Sequence, residues 1–441
     1  MSKAVIIGGS VAGLLTAASI REAFDQVWVI ERDKLEATFE SRKGAPQGQH
    51  VHNLLVTGLN TMEALLPGFT ADLDARGARY LQYGMDVRSL TKGGWLQGFE
   101  SHYVSRAASR GLVEGVIRAK VKALPNITIM DETTVLHLLF EADQRRVTGL
   151  EVQPKGSDQP QRILADVVID ASGRTSRMTE WLTEYGYSAP VEEVVDAKVG
   201  YATVIYPKPE GFTDWAVLYM PPVAPHTRGG AILEIEGGLW MVSLGGYLED
   251  YPPTEHDEFV AYAATLAEPD LYNAIKDLEP LSKIISYRRT ANRRLHFEQL
   301  NDLPDRLFAV GDAVCGFNPV YGQGMTAAAL GAHKLGEMIK QANGRLDGLN
   351  LHFQRDLAKL NEPIWLLATG IDYGFLADAH TKTSFMDRLM QRYMDYLLPL
   401  LPHDPVLAND FLAVMNLDKT TTVLVRPNTV MKVLGRVMTG A

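Results

Sequence analysis

Residues 5–31 leave this chain few ways to fold. Ala4 to Ile7 form an apolar run suited to a buried strand, and a glycine-rich turn covers Gly8 to Gly13. Leu14 to Ile20 follow at helical spacing, and Val27 to Ile30 return as a second strand. Gly8, Ser10 and Gly13 fill the three glycine places of G-x-G-x-x-G, with serine in the middle one. That place lets the backbone approach a pyrophosphate, and a serine there is small and can offer its hydroxyl to a phosphate oxygen. Glu31 closes the second strand 23 residues after Gly8, where this motif needs a carboxylate for a ribose 2′-hydroxyl. A carboxylate repels a 2′-phosphate, so FAD or NAD fits better than NADP.

Gly8-Gly9-Ser10-Val11-Ala12 also approaches the G-x-S-x-G elbow of a hydrolase nucleophile. The last place holds Ala12, and the strand leading in is the first of the chain, so that reading is the weaker one. The same strand, turn and helix pattern argues against a secretory signal in the first 20 residues. No stretch approaches the roughly 18 continuous apolar residues of a membrane-spanning helix. A net charge of −10 disfavours bulk nucleic-acid binding. One cysteine, Cys315, excludes an internal disulfide and fits a reducing, cytoplasmic setting, where it serves as a small buried spacer.

Two later stretches look like further ligand edges. In residues 307–330, LFAVGDAVCGFNPVYGQGMTAAAL, an apolar strand exits into Gly311 and Asp312, and Gly322 and Gly324 open an alanine-rich helix. The carboxylate can accept from sugar-alcohol hydroxyls, and the helix start can hold an anionic ring. In residues 167–177 a buried strand runs into Asp170-Ala171-Ser172-Gly173-Arg174. Residues 32–53, with Gly44, Pro46 and Gly48, form a long loop in which Arg42 can reach a phosphate. His50 and His52 have no third ligand in the sequence, so no metal site is expected. Arg106 and Arg110 stand at the start of a helix over residues 109–124.

Taken together and in this order, GGSVAG with Glu31, DASGRTSR and VGDAVCGFNPVYGQGM resemble the three FAD-contacting motifs of the single-component, PHBH-type flavoprotein monooxygenases. GAPQGQHVHNLL and EWLTEYGY are similar to a bacterial subgroup of epoxidases and hydroxylases distantly related to squalene epoxidase. The resemblance implies an α/β chain: a Rossmann-like FAD-binding domain of glutathione-reductase type, an inserted mainly β substrate domain, and a helical C-terminal region. The FAD-binding parts would be residues 1–84, 104–185 and 291–365, the substrate parts a hairpin at 85–103 and a sheet at 186–290, and the helical region 366–441. It places Gly8, Ser10 and Gly13 at the pyrophosphate, Glu31 at the ribose and Asp312 at the ribityl chain, with Arg32 and Gly311 among the cofactor contacts. Arg42, Arg110, Asp170 and Gly173 join the cofactor contacts. Pro319, Gly322, Gly324 and Met325 would supply the backbone environment of the flavin ring, with no acid or base assigned.

The implied reaction takes hydride from a transient NAD(P)H and oxygen from O2. Through a C4a-hydroperoxyflavin it epoxidises or hydroxylates a hydrophobic polyketide, terpenoid or aromatic substrate of secondary metabolism. A flavin-dependent reductase of isoprenoid double bonds and a catalytically silent FAD-binding protein stay open, whereas the W-x-W-x-I-P signature of flavin halogenases is absent around all six tryptophans. In the implied substrate domain, alternation puts Trp215, Val217 and Tyr219 on one face, and Trp240, Val242 and Leu244 repeat it; a sheet covering a core is the plain reading, while the resemblance implies an apolar aromatic wall over the flavin. Arg288, Arg289, Arg293 and Arg294 form a basic cluster whose default is a solvated face. Residues 429–438 form an amphipathic helix that packs on the body or, as a minority reading, rests on a membrane surface.

Overall fold

The computed structural model describes residues 1–36, 38–42, 46–376 and 385–439. Gly44, and residues 377–384 of the expected helical region, lie outside the described residues. The predicted first unit is built as strand Lys3–Ile7, helix Val11–Ile20 and strand Gln26–Ile30. These strands pair in parallel, and strand Lys3–Ile7 also pairs in parallel with Val167–Asp170. Leu307–Ala309 and Ile127–Met130 close the two edges of this five-stranded sheet. Ala4, Val5, Ile6 and Val167 to Ile169 are buried, as continuous apolar runs in a parallel sheet covered on both faces should be. Helices Val11–Ile20 and Gly324–Ala342 pack side by side, and Gly336 permits it: a Cβ there would meet the Ser19 hydroxyl at 1.9 Å.

The three stretches that carry ligand signals thus leave the sheet at the carboxyl ends of neighbouring strands, where open α/β sheets bind ligands. After the loop that follows Gln26–Ile30, the next α-helix begins at Val56.

A second, seven-stranded sheet lies beyond. Its core is the antiparallel run Gly200–Pro207, Leu239–Gly246, Arg228–Ile235 and Val217–Met220, with Ile285–Tyr287 at one edge. The hairpin expected around Gly93-Gly94 is Val87–Thr91 with Gly94–Leu96, and it joins the other edge beside Val217–Met220.

The two faces of this sheet are assigned differently from the sequence reading. Trp215 does not share a face with Val217 and Tyr219; it stacks on Trp240 at 5.1 Å between ring centroids. Both tryptophans pack with Leu218, Val242 and Leu244 under helices His256–Ala263 and Asp270–Ile275, which bring in Phe259, Tyr262 and Leu271. The period-2 count fails at Trp215 because that residue precedes the strand, which starts at Val217. The tryptophan wall is therefore a covered core. The opposite face, carrying Thr203, Leu233, Met241 and Ser243, meets Leu81, Ala107 and the His50 segment of the first domain.

After residue 344 the chain is largely helical, through Leu349–Leu376, Phe385–Leu397, Pro405–Met415 and Pro427–Thr439. In the last of these Val433 is buried in the C-terminal core, while Met431, Leu434 and Met438 are exposed. No helix among the described residues is long and apolar enough to cross a membrane.

Candidate functional site

At the first turn, geometry demands glycine twice. Gly8 has φ of +104°, and a Cβ there would stand 2.5 Å from the Ala171 carbonyl oxygen. A Cβ on Gly13 would stand 1.9 Å from the Gly8 carbonyl oxygen. These contacts press the helix start against the sheet edge. Ser10 occupies the N-cap position but its side chain makes no capping bond, which leaves the first N–H groups of the helix for another acceptor.

Glu31 is buried at the end of its strand. Its carboxylate accepts from Gly9 N at 2.7 Å and from Asp33 N at 3.0 Å, so it is held at the turn. Arg42 approaches it at 3.5 Å while donating to Glu114 at 2.8 Å and Asp33 at 3.1 Å. The Arg42 guanidinium is thus engaged by three carboxylates. Although burial works against its charge, these carboxylates together raise its pKa. Arg32 is exposed. Arg110 begins helix Arg110–Lys122, is buried, reaches Glu114 at 3.4 Å, and leaves its Nε without a partner.

Asp170 is fully buried and accepts from Ser172 N at 2.9 Å, from the Ser172 hydroxyl at 2.5 Å and from the Ser176 hydroxyl. Burial raises its pKa against these donors. Its side chain reaches a ligand only by shaping the loop that carries Gly173. Gly311 adopts φ of +62° against Ala12, and Asp312 follows with Arg174 at 3.6 Å. Added Cβ atoms on Gly173 and on Gly324 would each find their nearest neighbour on Asp312, 4.0 Å away, so these three residues border one open cradle.

Pro319–Tyr321 is a short 3-10 turn capped by Asn318, Gly322 ends it at φ of +68°, and Gly324 starts the long helix, with Met325 buried. Tyr247, just past strand Leu239–Gly246, hydrogen-bonds Tyr321 of this loop at 2.6 Å, and burial holds the hydroxyls of Tyr201, Tyr219 and Tyr247 above the ordinary tyrosine range.

The two histidines lie near the domain junction. His50 is buried, with Nδ1 2.7 Å from the Thr203 hydroxyl, its ring edge-on to Tyr201, and Nε2 unpartnered. Burial pulls its pKa down to about 4. His52 hydrogen-bonds the His50 carbonyl at 2.8 Å, and burial with Arg110 nearby takes it to about 3. Both rings are neutral at pH 7. No cluster of metal-binding side chains occurs among the described residues. The arginine cluster is split: Arg293 pairs with Glu192, Arg294 with Glu298 and Glu362, and Arg288 covers Tyr251. Cys315 is buried, which raises its thiol pKa.

These groups fit a dinucleotide with a sugar-alcohol linker: free helix N–H donors, an accepting carboxylate at the second strand, and an accepting carboxylate beside an open cradle. Residues 31–247 match the model of an FAD binding domain family. Protein Rv3254 of Mycobacterium tuberculosis is 31% identical over 418 residues, spanning 93% of this chain and 88% of that protein. The chain belongs to the Rv3254 family of FAD-binding-domain proteins. Among solved structures, the flavin-dependent brominase Bmp2 superposes with a TM-score of 0.67 at 17% identity, covering 94% of this chain and 92% of that one. PqsL, a probable FAD-dependent monooxygenase from Pseudomonas aeruginosa, gives 0.64 at 15% identity over 86% of this chain and 100% of that one. The α/β architecture with its β-rich second domain is that of these flavoproteins.

The sequence reading missed the side chains that hold the Asn318 loop from behind, chiefly Asp372. A signal was present: Ile364, Ala368 and Asp372 follow i, i+4, i+8, so the carboxylate lies on the buried stripe of its helix.

Proposed function

We propose that this protein is an FAD-dependent monooxygenase that uses NAD(P)H and O2 to epoxidise or hydroxylate a hydrophobic organic substrate. The observation that carries the reading is convergence. The Gly8–Gly13 turn, Glu31, Asp312 and the helix start at Gly324 share one edge of the parallel sheet, and the second domain reaches the loop before Gly324 through the Tyr247–Tyr321 hydrogen bond.

Bound FAD would supply hydride acceptance and oxygen activation. The chain supplies the rest. Unpaired N–H groups at Val11 and its neighbours would hold the pyrophosphate, Glu31 the adenosine ribose, and Asp312 the ribityl hydroxyls. The N–H groups at Gly324 and Met325 would favour negative charge at the edge of the ring by roughly 1–2 kcal/mol. The second sheet, Tyr201 and Tyr219 included, would exclude water from the space above and so protect a water-sensitive oxygen-transfer step. This wall is more polar than the tryptophan face expected from sequence. It suits an aromatic or polyene substrate bearing some oxygen function. The brominase among the structural neighbours does not favour halogenation here, because the W-x-W-x-I-P segment is absent.

Oxygen uptake by the FAD-loaded protein with NADH or NADPH, screened over polyenes, polyketides and phenols, tests the reading. Substrate-stimulated uptake with one oxygen atom in the product is expected. Product formed by anaerobic double-bond reduction would replace monooxygenation with the reductase reading.

A further inference from the structure

The Asn318–Gly324 loop is tied down by a carboxylate from a distant part of the chain. Asp372, on helix Leu349–Leu376, is fully buried. One of its oxygens accepts from the Tyr321 hydroxyl at 2.6 Å, the Tyr247 hydroxyl at 3.3 Å and Asn318 Nδ2 at 3.4 Å. The other accepts from Asn292 Nδ2 at 2.7 Å. Tyr247 and Tyr321 also share a hydrogen bond at 2.6 Å, and Asn292 accepts from Asn318 N at 2.7 Å. Four segments meet here: the loop itself, the end of strand Leu239–Gly246, strand Asn292–Leu295 and helix Leu349–Leu376. Phe375, one helical turn on, stacks on Tyr247 at 3.9 Å.

The four hydrogen-bond donors to this carboxylate are neutral. The cations on the adjoining strand are engaged elsewhere, Arg293 with Glu192 and Arg294 with Glu298 and Glu362. The further titratable group near Tyr247 is Tyr219. A buried carboxylate without a cation is a poor stabiliser compared with an apolar side chain, so its place on the buried stripe calls for a role other than packing. Tyr321 is the half-buried member of the network and stands directly before Gly322.

We propose that Asp372 is a positioning residue for the cofactor loop: its carboxylate gathers Tyr321 and Asn318 from behind and fixes the backbone that would face the flavin ring. This rests on the placement of FAD against residues 322–325 given above. Protonation would put a donor where four donors already point, so the loop loosens as Asp372 takes up a proton. Burial raises its pKa to about 6, so the change falls between pH 5 and 7.

FAD affinity of the full-length protein, measured by flavin fluorescence at intervals from pH 5 to 8, tests this. For the wild type, affinity should fall about tenfold as pH drops through 6. Asp372→Asn should bind about tenfold more weakly at pH 7.5 and show little pH dependence below it, with a blurred visible flavin band. Tyr321→Phe and Tyr247→Phe each remove a donor that lowers the Asp372 pKa, so each should move the pH midpoint upward. These two variants carry the test if Asp372→Asn does not fold. Wild-type affinity and an unchanged pH profile in Asp372→Asn, or unmoved midpoints in both phenylalanine variants, would overturn the proposal while leaving FAD binding intact. A wild type that ignores FAD at every pH would instead remove the functional reading on which it rests.

Discussion

Alanine at position 13 puts the glycine turn under direct load. Its Cβ would stand 1.9 Å from the Gly8 carbonyl oxygen and 3.0 Å from the carbonyl carbon. Carbon and oxygen tolerate about 3.3 Å, so the helix must retreat by more than about 1 Å from the turn. The cost is steric, since Gly13 does not have the left-handed backbone of Gly8. Overpacking of this kind costs about 1–3 kcal/mol, and Gly8, whose own Cβ position is blocked by Ala171, has little room to yield. The retreat also carries the unpaired N–H groups away from the pyrophosphate, so FAD affinity should fall by at least about tenfold, or 1.4 kcal/mol. Thermal melting of the apoprotein and calorimetric titration with FAD measure the two parts separately. Ser10→Ala is the control: its side chain makes no capping bond, and only a modest loss of FAD affinity is expected. A Gly13→Ala protein with wild-type melting temperature and wild-type FAD affinity would refute the close approach of helix and turn.

Three further outcomes follow from the same geometry. Arg42→Ala takes their shared cation from Glu31, Asp33 and Glu114, and because Glu114 keeps Arg110 and Arg118 a loss of about 1–3 kcal/mol in urea unfolding is expected; no measurable change would contradict the pairing. Trp240→Ala should cost about 3–5 kcal/mol of stability while leaving ligand affinity unchanged, because Trp240 lies under the helices and not over the cofactor; a selective loss of ligand binding would reverse that assignment. His50 and His52 have pKa values depressed to about 4 and 3 from 6.5, so their contribution is complete above pH 6.5 and lost as pH falls toward those values. By pH 5 each ring would withdraw about 2 kcal/mol, and His50→Gln should flatten the acid arm by that amount. Asp372 works in the opposite direction, so the comparison is variant against wild type, and an identical acid slope would count against the buried neutral ring.

How far the sequence carried the reading depended on whether a signal was local. The strand, glycine turn and helix at residues 3–20 are fixed by neighbours in sequence and were legible, as were Gly311 and Asp312 at a strand exit. The faces of the second sheet were not, because one residue of uncertainty in the start of strand Val217–Met220 exchanges core for site and carried Trp215 to the wrong side. Arg42 was recognised as a residue of the region, but its partner Glu114, 72 positions on, follows from tertiary packing. Asp372 joins residues 54 positions away at Asn318 and 125 away at Tyr247, beyond the reach of any local pattern.

The central claim is that three distant segments grip one FAD molecule. Isothermal calorimetry of purified apoprotein with FAD, paired with the visible spectrum of the complex, measures it directly. One FAD per chain is predicted, with affinity weakened by Gly13→Ala and by removal of the Asp312 carboxylate. No heat of binding, no yellow complex, and indifference to both substitutions would contradict the account.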